Sequence, residues 1–92
     1  MPKYVIEREL PGAGNLGADD LTSIAQKSVE VLDAMAGRAQ WLTTFVTGDK
    51  LYCVYIADDE AAVREHAHAG GFPCNVVSRV ATMIDPTTAE AN

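Results

Sequence analysis

Basic residues are scarce in this chain: seven lysines and arginines stand against thirteen aspartates and glutamates, a formal charge of −6. Nucleic acid and anionic bilayers are held by basic faces, so neither is expected as a partner. Long apolar runs are lacking as well. None approaches the ~20 residues that span a bilayer. The opening segment, MPKYVIEREL, turns acidic within seven residues, unlike a secretory leader. The expected location is the cytoplasm. Cysteine is limited to Cys53 and Cys74, with no CxxC pair, and two separated cysteines in such a compartment read as reduced thiols.

What is present is an ordinary globular composition, 48% hydrophobic and 22% charged over 92 residues. The length predicts one domain over residues 1–85 and a flexible tail over 86–92, where no apolar pattern remains. A chain of this size buries roughly 60–65% of its unfolded surface, so a partner subunit would enlarge a small core.

Alternation over Lys3–Leu10 predicts a strand, and residues 11–18 read as a loop. The spacing of Leu21, Ile24, Ala25, Ser28, Val31, Leu32 and Met35 predicts a helix with one buried stripe. Asp19 and Asp20 suit its first turn and Gly37 its stop. Gln40–Thr47 and Leu51–Ala57 are rich in aromatic and β-branched residues and read as a hairpin closed at Gly-Asp-Lys. A second helix over about Asp59–Ala69 ends at Gly70 and Gly71, and Val76–Ile84 reads as the last strand. The order β-α-β-β-α-β predicts an α+β ferredoxin-like sandwich: a four-stranded antiparallel sheet with two helices on one face.

On that frame Tyr4 and Ile6 face the helices, with Leu42, Val46, Val54 and Ile56 beside them. Val5, Glu7, Glu9, Trp41, Phe45, Cys53 and Tyr55 then project from the open face. Such an apolar face suggests a sheet-to-sheet homodimer. Glu7 is expected to pair with Arg79 across neighbouring strands, and Glu7 with Glu9 is a second candidate acid pair.

Two motifs invite chemistry. Gly12-Ala13-Gly14-Asn15-Leu16-Gly17 spells GxGxxG, but Pro11 interrupts the turn and Asp19 and Asp20 would repel a phosphate, so no nucleotide is expected. In REHAHAGGFPCN, His66 and His68 lie two apart, about 200° around a helix, and cannot chelate one ion together. Glu65 with His68 has the spacing that can. His66, beside Val63 and Ala67, reads first as a structural histidine at a helix end. Cys74, in the loop after Pro73, could complete a metal site with a histidine.

YVIERELPG at the start, YCVYIA on the third strand, and REHA with GFP around the second helix resemble a bacterial family of small nickel-binding, ferredoxin-like proteins. The resemblance implies a homodimer and bound nickel. It places one histidine toward the end of the first strand, where this chain has Glu7, Arg8 and Glu9, and two more four apart on the second helix. His66 matches the first of these and Gly70 falls at the second. His68, Glu65, Glu7 or Glu9 would then have to complete the site. The expected function is a homodimeric metal- or ligand-binding module, nickel being the metal that the resemblance implies. Its rival is a small dimeric α+β-barrel enzyme whose cavity behind the open face is lined by Glu7, Cys53, Tyr55 and Arg79. A structural or regulatory subunit of a larger assembly is a third class.

Overall fold

A computed structural model describes residues 1–90. Strand β1 (Lys3–Glu9) is followed by helix α1 (Ala18–Ala34), the hairpin β2 (Ala39–Val46) and β3 (Lys50–Ala57), helix α2 (Glu60–Gly70) and strand β4 (Val76–Arg79). The sheet order β2-β3-β1-β4, antiparallel throughout, is the ferredoxin-like arrangement that the element order predicts.

Local chemistry explains the helix ends. Asp20 Oδ2 accepts the Gly17 amide at 3.2 Å, and Asp19 and Asp20 occupy the positive end of α1. The chain leaves α1 through left-handed Ala36 and Gly37. Asp59 caps α2 by accepting the Ala62 amide at 2.8 Å, and left-handed Gly71 closes it.

The loop before α1 holds a single 3-10 turn at Ala13–Asn15. Its glycines serve the backbone. Gly12 is left-handed, and a Cβ on Gly14 would lie 3.1 Å from Gly48 Cα and Thr47 O of the hairpin turn. The Gly14 amide donates to Gly48 O at 3.0 Å, and the Gly12 amide to Asp49 Oδ1 at 3.0 Å. The GxGxxG stretch thus clasps the β2–β3 turn.

Two expectations are corrected here. The last strand is shorter than Val76–Ile84: β1 begins at Lys3, whose carbonyl accepts the Val80 amide, and beyond it β4 has no strand to pair with among the described residues. Residues 81–90 are all exposed, and Pro86–Glu90 form a 3-10 turn. Residues 91 and 92 of the expected tail lie outside the described residues.

The faces of the hairpin are also reversed. Register pairs Tyr4 with Tyr55, Ile6 with Cys53 and Arg8 with Leu51, so Cys53 and Tyr55 lie beneath the helices, nearly fully buried. Val54 and Ile56 take the open face beside Val5. A register irregularity between Trp41 and Thr43 lets Trp41 pair with Tyr55, Thr44 with Cys53 and Phe45 with Tyr52. Trp41 is therefore half-buried on the helix side, while Phe45 stands on the open face, 60% exposed, as expected. Leu42 falls in the irregularity and is exposed rather than under the helices.

Candidate functional site

The core lies between α2, the C-terminal half of α1 and the sheet, around Ile6, Val31, Met35 and Val63. The N-terminal half of α1 does not close onto the sheet in the same way. Leu21, Ile24 and Ala25, which the stripe predicts to be buried, instead line a cleft of about 380 Å³. Its floor is the helix-facing side of the hairpin, including Trp41, Thr44, Cys53 and Tyr55, and Gly71–Pro73 close one end. That volume is at the small end of ligand pockets.

Arg8 lies at this wall, only 2% exposed. Its Nε donates to Cys53 Sγ at 3.4 Å and its Nη1 to Pro73 O at 2.5 Å. The guanidinium carbon sits 5.9 Å from the Tyr55 ring centroid and 5.6 Å from that of Phe72. Among the described residues no carboxylate pairs with it, and Nη2 makes no hydrogen bond. A buried cation normally has a counter-ion, because leaving bulk water is costly. Stacking on two rings offsets only part of that cost.

Beside Arg8 runs a short polar chain. Ser28 Oγ is 3.1 Å from His66 Nε2 and 3.4 Å from Tyr55 Oη. Burial and the Arg8 charge hold the His66 imidazole below its usual range despite the Ser28 hydrogen bond, so it is neutral near pH 7. Burial pushes the Tyr55 phenol up, opposed by Ser28 and Arg8. On the floor, Trp41 Nε1 donates to Thr44 Oγ1 at 2.9 Å, and that hydroxyl donates to Cys53 Sγ at 3.0 Å. Ser28 is the polar break in the α1 stripe, and this contact is its reason.

The residues expected to bind metal do not converge. His66 is fully buried, its ring 5.0 Å from that of Tyr55 and 5.4 Å from that of Phe72. His68 is exposed on the other side of α2. Glu65 is held by Arg38, at 3.0 and 2.5 Å, and the guanidinium keeps its carboxyl below the usual range. Where the resemblance places a second histidine, Gly70 has no side chain, and the space its Cβ would enter is filled by the Phe72 ring. Among the described residues no three His, Cys, Asp or Glu side chains gather in a metal-binding group. The donors present therefore do not fit a resident nickel ion within one chain.

The other expected residues disperse. Glu7 stays on the open face, 3.7 Å from Lys50 and not beside Arg79, which lies opposite Tyr4 and is exposed. Glu9 Oε2 accepts from Asn75 Nδ2 at 3.4 Å, so the two glutamates form no acid pair. Cys74 is half-buried in the loop before β4. Of the residues expected to line a cavity behind the open face, Cys53 and Tyr55 line one on the opposite side of the sheet, and Trp41 joins them.

Comparison with known proteins agrees with this fold. The crystal structure of SCO4226 from Streptomyces coelicolor A3(2) superposes with a TM-score of 0.75 over 89% of this chain and 99% of that one, at 13% identity. No curated protein sequence matches. Residues 4–80 match the family described as "Nickel responsive protein SCO4226-like". That match takes in β1 from Tyr4 on, β2 to β4, both helices and the whole cleft, and the chain belongs to the SCO4226-like, nickel-responsive protein family.

Proposed function

We propose that this chain is a small-ligand-binding module whose site is the cleft between α1 and the sheet. One observation carries the reading: a buried arginine without a carboxylate partner among the described residues stands at the wall of a mainly apolar cleft. Binding fits the residues better than turnover. The Ser28–His66 contact has a hydroxyl and a base, but among the described residues His66 Nδ1 has no hydrogen-bond partner to orient the ring, and both side chains are buried. The test is thermal melting with a panel of small amphiphiles. A ligand should raise the melting temperature of the native chain, and Ile24→Trp, which fills the cleft from a half-buried position, should abolish the rise. A rise that survives Ile24→Trp would locate the site elsewhere.

The module works as a homodimer through its open sheet face. Val5, Tyr52, Val54 and Ile56 form an apolar strip there, continued by exposed Phe45 beside Tyr52, while Glu7, near Lys50, separates Tyr52 from Val76.

The family description supports a second reading, a role linked to nickel. In this chain the ion would be held by exposed His68 with donors from a copy packed against α2 rather than across the open sheet face, since Glu65 is engaged by Arg38 and His66 is buried. Metal analysis of tag-free protein tests it: nickel retained after dialysis should be lost in His68→Ala and kept in His66→Asn.

A further inference from the structure

We propose that the cleft takes an organic monoanion, a carboxylate received by Arg8 with an apolar tail lying between α1 and the hairpin; this rests on the cleft being the binding site. Shape and chemistry both favour it. The outer part is apolar: Leu21 and Val46 are exposed, with Ile24 and Leu10 half-buried deeper in. The inner part holds the one charged lining residue, Arg8, whose Nη2 is unsatisfied among the described residues. A volume of about 380 Å³ takes about a dozen heavy atoms, at the ~30 Å³ each water occupies in the liquid.

The charge count selects the head group. One guanidinium matches one negative charge. A phosphate dianion would leave a second charge in a low-dielectric wall, and a cation would meet Arg8 directly. Tyr55 Oη and Ser28 Oγ, near neutral His66, are further hydroxyl donors at the same end. The guanidinium is shut off from bulk water, flanked by the rings of Tyr55 and Phe72. Phe72 belongs to the irregular segment between α2 and β4. A carboxylate that reaches Nη2 gives the cation the counter-ion that it lacks among the described residues. A charge-assisted bond formed away from water is stronger than its counterpart in solvent.

The experiment compares octanoate with 1-octanol, matched in tail and different in head group, by calorimetry and by fluorescence of Trp41, which lines the cleft. Octanoate should bind about tenfold or more tighter than octanol. In Arg8→Met the two should bind alike, at the octanol level, and inorganic phosphate should not displace octanoate from the native chain. Equal affinities in the native chain would overturn the monoanion assignment while leaving the cleft as a binding site. Displacement by phosphate would overturn the monocarboxylate class. Absence of binding by both ligands would overturn the cleft reading itself. The native comparison needs no variant, so it decides the matter even where Arg8→Met does not fold.

Discussion

Arg8 is a stable liability in the ligand-free chain. It is buried without a counter-ion among the described residues, and its contacts are two hydrogen bonds and two aromatic rings. Replacing a buried ion pair by apolar side chains of similar volume is often neutral or stabilising by about 1–4 kcal/mol, and a lone buried charge has no attraction to a partner to lose. Arg8→Met is therefore expected to melt, without ligand, at or above the native temperature while losing its preference for octanoate. A loss beyond about 2 kcal/mol in chemical denaturation would mean that the guanidinium contacts outweigh its desolvation. Arg8 was readable in part. Tyr4, Ile6 and Arg8 share one parity, so the alternation that buries the first two carries the third under the helices with them. Its missing counter-ion was not readable, because absence of a partner is a property of three dimensions.

His66 gives a pH dependence with a definite sign. Its folded-state pKa lies below the unfolded value of about 6.5, chiefly because burial disfavours the imidazolium. The unfolded chain therefore takes up the proton first. Stability from this group is complete above about pH 6.5 and is lost as the pH falls through the interval down to the folded value. Urea melts at a series of pH values should show that decline in the native chain, and His66→Asn should flatten it. A decline of equal slope in His66→Asn would assign it to other groups. Removing the ring also costs packing against Tyr55 and Phe72, so His66→Ala is expected to lose about 1–3 kcal/mol at pH 8.

Among the elements, the hairpin shows what pattern reading misses. LYCVYIA is apolar on both parities, so no polar residue marks which side meets the helices. Pairing of β1 with β3 settles it by setting Cys53 opposite Ile6. The irregularity after Trp41 then puts Trp41 and Thr44 on one face and Phe45 on the other, an odd spacing that strict alternation forbids. The glycine loop before α1 makes the complementary case. Its GxGxxG spelling suggests a phosphate cradle, yet Gly14 is needed because the hairpin turn passes against it. Gly14→Val should cost about 1–3 kcal/mol in equilibrium unfolding, since backbone on both sides must shift. Unchanged stability would mean that the clasp is loose.

At the scale of the molecule, the open sheet face predicts assembly. Phe45→Glu and Tyr52→Glu place charge in the apolar strip without touching the helix-side core. Each should shift sedimentation from dimer toward monomer while the far-ultraviolet spectrum stays native. Trp41→Glu should act differently, destabilising the fold and closing the cleft to ligand, because Trp41 lies on the other side of the sheet. A native chain that sediments as a monomer at micromolar concentration would remove the dimer from the proposed function.

By itself the sequence determined the element order, the helix ends and the burial of Tyr4 and Ile6, because period, caps and turn glycines are local signals within a few residues. It also carried the family resemblance that residues 4–80 bear out. Tertiary structure alone decided which side of β3 is inside, that α1 stands off the sheet at Leu21 and Ile24, and that Arg8, Ser28, Tyr55 and His66 meet. Those four residues come from four different elements, and only the pairing register and the seating of two helices bring them within reach. The residues expected to bind metal, Glu65, His66 and His68, are instead neighbours along one helix. Consecutive positions on a helix point apart, so Glu65 and His68 face solvent while His66 faces the core.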